Sequence, residues 1–177
     1  MIGFFKRLLG RVVANDHREE LPRKACVGTR MLVVDDSPTI CAVLGRMLER
    51  DGYAVQKAAD GESALEWARD MQPQLIFLDI VLPGINGFAV LRALRHDPRT
   101  AHIPIVMISG NPQATEQFYV QRFGADDFIK KPFGYAEVAA SIRQLVRSGR
   151  LAGRAVPPAI PVLPAVVPTG HVSGVPA

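Results

Sequence analysis

Apolar residues fall along this chain in short unbroken runs, and each run delivers a polar group at its end. Met31-Leu32-Val33-Val34 leads into Asp35-Asp36, and Leu75-Ile76-Phe77-Leu78 into Asp79. Ile105-Val106-Met107-Ile108 ends on Ser109, and Asp127-Phe128-Ile129 precedes Lys130-Lys131-Pro132. A fifth, more polar stretch, Tyr53 to Ala58, reads as a short strand and delivers no such group. Strands that are apolar without alternation are those buried on both faces, as in a parallel sheet. The segments between them carry helical spacing. Ser37 and Pro38 suit the start of a helix in which Ile40, Val43, Leu44, Met47 and Leu48 face inward, stopped by Gly52. Gly61 to Asp70 predicts a second helix with Ala64, Leu65 and Ala68 inward. Phe88, Leu91 and Leu94 mark a third, after the loop 82–87. Gln113 to Phe123 predicts a fourth, ended by Gly124. Tyr135 to Val146 predicts a last helix with Val138, Ile142, Leu145 and Val146 on one side. The expectation is an α/β fold, a doubly wound five-stranded parallel sheet with helices on both faces.

In such a sheet ligands bind at the carboxyl ends of the strands. That edge would gather Asp35, Asp36, Asp79, Ser109 and Lys131. At 4 Å and an effective dielectric of 20, each pair of like charges costs about 4 kcal/mol, so protons or a cation must relieve the carboxylates. Carboxylate oxygens with room left for water and phosphate describe a Mg²⁺ site better than an all-protein Ca²⁺ cage. A carboxylate beside such a cation can act as a nucleophile and form an aspartyl phosphate. Asp79 would attack, Mg²⁺ would lie between Asp36 and Asp79, and Lys131 and Ser109 would each meet a phosphoryl oxygen. Taken singly the residues have plainer readings. Asp35-Asp36 alone is a solvated turn or helix cap, Ser109 a strand-end hydroxyl, Phe128 a core residue. Lys130 reads as a solvated neighbour, because Lys131 directly precedes the proline. The four histidines show no pairing that suggests a metal or catalysis.

The motifs Val33-Val34-Asp35-Asp36-Ser37, Asp79-Ile80-Val81-Leu82-Pro83-Gly84 and Lys131-Pro132-Phe133 resemble those of response-regulator receiver domains of two-component signalling. The resemblance implies a flavodoxin-like sheet of order 2-1-3-4-5, with Asp79 as phosphoacceptor and a sensor histidine kinase as donor. It implies Asp36 and Asp79 as direct Mg²⁺ ligands, Asp35 acting through water, and the Val81 backbone carbonyl as a further ligand. Ser109 and Lys131 would read the phosphoryl group. Ser109 and Phe128 would form the switch, remodelling the face of the fourth helix, fifth strand and fifth helix for a downstream effector protein. Two positions depart from the common pattern. Phe128 stands where tyrosine is frequent and lacks its hydroxyl. Val81 and Asn111 occupy positions that modulate dephosphorylation, and an apolar Val81 side chain cannot orient water. Ser37-Pro38-Thr39-Ile40 and Gly87-Phe88 look similar to single-domain regulators of chemotaxis and type IV pilus (twitching) motility.

Composition divides the chain. Hydrophobic residues make up 48% of it, enough for a packed core. The net charge of +4 sits at the ends: residues 1–30 carry +4, the stretch from Arg150 onward +2, and the middle about −2. The basic balance is therefore weak support for a nucleic-acid-binding domain. The expected units are a leader, 1–28, a receiver domain, 29–149, and a Pro-rich flexible tail, 150–177, with Pro157, Pro158, Pro161, Pro164, Pro168 and Pro176. In the leader, Ile2, Phe5, Leu8, Leu9 and Val12 recur at helical spacing among Lys6, Arg7 and Arg11. The alternatives there are an amphipathic helix on an anionic membrane surface or a partner groove, packing on the domain itself, and disorder. Cys26 and Cys41 lack metal-ligand spacing and fit reduced thiols in a cytoplasmic protein. No apolar run reaches 18 residues, so nothing reads as transmembrane.

Only the Pro-rich tail follows the last helix, so the expectation is a stand-alone phosphorylation switch, not an enzyme, that signals through protein contacts. One rival is a phospho-independent adaptor that keeps the fold. A second is a phosphoaspartyl-type phosphatase, whose second acid/base aspartate would be expected where Val81 stands. A third is a DNA-binding regulator, disfavoured because no output domain follows.

Overall fold

The computed structural model describes residues 24–110 and 123–154. The predicted helix over 113–123 lies outside them except for Phe123, as do Asn111 and most of the leader and tail. The elements are β1 (Arg30–Val34), α1 (Pro38–Arg50), β2 (Ala54–Ala58), α2 (Gly61–Met71), β3 (Leu75–Asp79), α3 (Gly87–His96), β4 (Ile105–Ser109), β5 (Asp127–Lys130) and α4 (Tyr135–Arg147). All four strand pairs are parallel and the sheet runs β2-β1-β3-β4-β5, the order expected.

Alternate residues of the strands feed two separate cores. Met31, Val33, Phe77, Val106 and Ile108 face α1 and α4, where they meet Leu44, Leu48, Val138, Ile142 and Leu145. Leu32, Val34, Ile76, Leu78 and Met107 face α2 and α3, meeting Ala64, Ala68, Val90, Leu91 and Leu94. This two-sided burial is why the central strands contain almost no polar residue before their last position.

Helices α1, α2 and α3 each begin at the carboxyl edge of the sheet on a side-chain cap, whereas α4 begins at Gly134, whose N–H donates to the Glu137 side chain at 2.8 Å. Ser37 accepts from the Ile40 N–H at 3.4 Å with Pro38 in the first turn. Asp60 accepts from the Ser63 N–H at 2.7 Å, and Asn86 from the Ala89 N–H at 2.9 Å. These caps satisfy orphan donors of the first turn and leave the loops short.

The inward stripe of α1 differs from the periodic reading. Cys41, Leu44, Gly45 and Leu48 are buried, whereas Val43 is 36% exposed and Ile40 and Met47 lie at the margin. A Cβ at Gly45 would come within 2.5 Å of the Lys57 Cε, so the bare backbone makes room for the lysine stem from β2 to lie across the helix. Apolar character alone did not reveal that a glycine and a cysteine form part of this face.

The packed body reaches past the strands and helices at both flanks. Ala25 and Gly153 form an isolated antiparallel bridge, and Ala25 and Leu151 join the α1/α4 core. The Cys26 N–H donates to the Ala152 carbonyl at 3.2 Å, and the Arg154 N–H to the Lys24 carbonyl at 2.8 Å. The Lys24 ammonium pairs with Asp51 at 2.9 Å, and that carboxylate also accepts the Tyr135 hydroxyl at 3.0 Å.

Gly87, the first residue of α3, packs directly against the end of β3. An added Cβ would collide with the Asp79 carbonyl oxygen and lie 2.9 Å from the Ile80 Cα. Intrinsic helix propensity favours alanine over glycine by about 1 kcal/mol. Gly87→Ala is nevertheless expected to lower the urea midpoint, because both obstacles are backbone. For comparison, Leu44→Ala should cost about 2–5 kcal/mol through loss of buried contacts.

Candidate functional site

The sheet order places β1 between β2 and β3, at the point where the winding reverses, and the crevice opens beyond the ends of β1 and β3. β1 stops at Val34, and the next residue, Asp35, is held by its N–H donating to the Ala58 carbonyl at 3.1 Å. Asp35 is 1% exposed. One of its oxygens accepts from the Ser37 N–H at 2.9 Å and the other from the Lys131 ammonium at 2.7 Å. Asp36, beside it, is exposed. Asp79 is the last residue of β3 and is buried, with one carboxylate oxygen accepting from the same ammonium at 3.0 Å. Oxygens of Asp35, Asp36 and Asp79 all lie within 4.8 Å of one another.

Ser109 ends β4, fully buried. Its carbonyl accepts the Lys131 N–H at 2.7 Å, which fixes the lysine backbone just past β5. Lys130 is exposed on the strand itself. Phe128 is part-buried and packs against the α2/α3-side core, next to Met107 in register. Val81 stands in the loop after Asp79 with 67% exposure. The sequence-predicted residues Asp35, Asp36, Asp79 and Lys131 thus converge on one point, Ser109 and Val81 lie on adjoining strand-end segments, and Phe128 lies one strand position further back.

Two supporting residues carried no such signal in the sequence. The Cys41 thiol, one turn into α1, donates to the Asp35 carbonyl at 3.2 Å, and burial pushes its pKa up. Gly87 lets α3 abut the Asp79 backbone. Both positions could be suspected only once the end of each strand was known to be where the next helix begins.

Burial dominates the electrostatics of Asp79 and pushes its carboxyl above the usual range. The Lys131 hydrogen bond and charge pull it back, while the Asp35 charge adds to the rise. Burial acts to lower the Lys131 ammonium, but the hydrogen bonds and charges of Asp35 and Asp79 outweigh it and leave it raised. Three carboxylates face a single ammonium, and Asp36 is open to solvent. A hard divalent cation fits this donor set: oxygen ligands only, incomplete neutralisation, and space for water.

The response regulator receiver domain family matches residues 31–143, and the chain belongs to that family. Protein PilH of Pseudomonas aeruginosa is 41% identical over 103 residues, covering 58% of this chain and 85% of PilH. The DNA-binding dual master transcriptional regulator RpaA of Synechocystis is 42% identical over 118 residues, which are 67% of this chain and 49% of RpaA. The chain thus spans about half the length of RpaA, as it does of MtrA from Mycolicibacterium smegmatis at 50%. Among solved structures, the chemotaxis protein CheY4 of Vibrio cholerae superposes with a TM-score of 0.62 at 28% identity, over 66% of this chain and 97% of CheY4. The receiver domain of the Pseudomonas aeruginosa sensor histidine kinase PA1611 superposes with a TM-score of 0.63 at 27% identity, over 68% of this chain and 99% of that domain. That domain has a magnesium ion coordinated in its active site cleft.

A carboxyl whose folded pKa lies above its unfolded value of about 3.9 favours the fold below that value and loses this contribution as pH rises through the folded pKa. Ionised Asp79 therefore works against the metal-free fold at neutral pH. Asp79→Asn is expected to raise the melting temperature measured in chelator at pH 7. The advantage should shrink as pH falls toward the ordinary carboxylate range, where the wild-type side chain takes up its proton.

Proposed function

We propose that this protein is a phosphorylation switch in which Asp79 accepts a phosphoryl group from a sensor histidine kinase. The observation that carries the reading is the Lys131 ammonium lying 2.7 Å from Asp35 and 3.0 Å from Asp79 inside a three-carboxylate crevice. Receiver domains are signalling modules, and this crevice has the parts that phosphoryl transfer asks for: a positioned oxygen nucleophile and fixed positive charge.

In the transfer, an Asp79 carboxylate oxygen forms the new P–O bond. The P–N bond to the donor histidine breaks, and its electron pair returns to the imidazole. Asp36 and Asp79, with Asp35 through water and the Val81 backbone carbonyl, would hold a Mg²⁺ ion, which when bound would supply charge neutralisation for the transferring oxygens. Asp35 suits the indirect role because both its oxygens already accept hydrogen bonds, from Ser37 and Lys131. Lys131 follows the developing charge as it moves from the carboxylate onto the phosphoryl group. Ser109, on the neighbouring strand end, offers its hydroxyl to the group once attached, and Phe128 repacks in response. This converts a local charge change into a change of surface.

Output passes to a downstream effector through β5, α4 and the segment 113–123. The receiver unit, placed at residues 29–149 by the sequence, is extended by the packed residues 24–28 and 150–154, and the rest of 1–28 and 150–177 are appendages to it. A role in chemotaxis or pilus-based motility is supported by the similarity to PilH and CheY4. A cytoplasmic setting accords with a kinase donor. Among the described residues no helix is long and apolar enough to cross a membrane.

Incubation with acetyl phosphate and Mg²⁺, followed by intact mass, tests the switch. Wild type is expected to gain roughly 80 Da, one phosphoryl group, whereas Asp79→Ala and wild type in chelator should gain nothing. Folded wild-type protein that takes no adduct from acetyl phosphate or from a panel of histidine kinases would sink the reading in favour of a phospho-independent adaptor.

A further inference from the structure

At the opposite edge of the sheet from Asp79, the amino-terminal ends of β1, β3 and β4 border a cleft of about 350 Å³. This is within the size range of small-molecule pockets, about 300–1,000 Å³. Its rim carries Arg30, Gln74, His102 and Arg150, and among the described residues no carboxylate lines it. Pro73 and Pro104 contribute rigid apolar rings that offer no N–H.

The rim donors are held in place yet left largely unused. The Arg30 backbone N–H donates to the Gln74 side-chain oxygen at 3.0 Å, which leaves the amide NH₂ of Gln74 as the group still to be satisfied. The Arg30 guanidinium makes one hydrogen bond among the described residues, from Nη2 to the Gln72 carbonyl at 3.1 Å, and has no ion-pair partner there. Gln72 adopts a left-handed conformation, φ 50°, where it presents that carbonyl. Arg150 donates from Nε to Asp126 at 2.6 Å, so its two terminal nitrogens are not used by that pair. Asp126 adds no net negative charge, because its other oxygen is held by Arg95 at 2.9 Å.

We propose that this cleft binds a small organic phosphate. Two arginine forks match phosphate oxygens in geometry as well as charge. The Gln74 amide and the His102 imidazole supply further donors. The proline rings give the organic part a dry surface. A site at this edge is separate from the phosphoacceptor crevice, so occupancy requires neither Mg²⁺ nor Asp79.

The test is NMR titration of the full chain in chelator with inorganic phosphate, phenyl phosphate and a hexaglutamate peptide. Saturating shifts are expected at the Gln74 side-chain amide and around residues 102–104, with phenyl phosphate the tighter of the two phosphates. Hydrogen bonds to charged groups are worth enough that Arg30→Gln and Arg150→Gln should each weaken binding roughly tenfold or more, while substitution of the exposed Lys130, Lys130→Gln, leaves it unchanged. Unaltered melting temperatures for the three variants would show that they fold. Linear, non-saturating shifts would overturn the proposal, as would binding that survives both arginine substitutions or is lost with Lys130→Gln. Preference for hexaglutamate would overturn it too, assigning the cleft to an acidic protein segment.

Discussion

One ammonium group holds the carboxyl edge of this sheet together. Lys131 bridges Asp35 and Asp79, the ends of the two adjacent strands β1 and β3, from a position just beyond β5. Its side chain is 20% exposed and its partners 0% and 5%, so solvent screens the interaction weakly. Removing the Lys131 ammonium would leave two desolvated carboxylates facing each other, and uncompensated buried charge of this kind typically costs about 3–5 kcal/mol. The arrangement is still short of neutrality. Asp79 is pushed toward its protonated form, and Asp36 adds a further carboxylate at the mouth. The fold thus tolerates a charge imbalance at one spot, which is common where a site must later accept another ion or group.

The remainder of the architecture serves to make that imbalance repeatable. Parallel pairing sets β1, β3 and β4 side by side, so Asp35, Asp79 and Ser109 reach the same edge. Helix caps at Ser37, Asp60 and Asn86 start the return helices at once, and Gly87 lets α3 press against the backbone of the phosphoacceptor candidate. A nucleophile carried on a strand end and backed by a helix is positioned more firmly than one on a free loop.

The strands and their polar terminations were legible because a strand buried on both faces has one simple signature, an apolar run, and each run here stops at a functional group. Sheet order followed from the family resemblance, since apolar runs alone do not say which strands are neighbours. Legibility failed where packing depends on what is missing from a side chain. Gly45 is buried on the inward face of α1 while Val43 faces out, and Cys41 supports Asp35 through a thiol that hydropathy counts merely as apolar. It failed again at Ala25 and Leu151. Charge and proline content drew the eye to leader and tail, yet these two residues are buried through a single antiparallel bridge of the kind that leaves no periodic trace.

That bridge has a geometric consequence for everything joined to the domain. Because the Arg154 N–H meets the Lys24 carbonyl at 2.8 Å, the preceding and the following segments depart from neighbouring points. Whatever is joined through Lys24 is held near whatever is joined through Arg154, at an effective concentration set by the length of the connections and not by the amount of protein in solution. A partner that gripped both would gain from the shared anchorage, and whatever loosened the bridge would remove that gain.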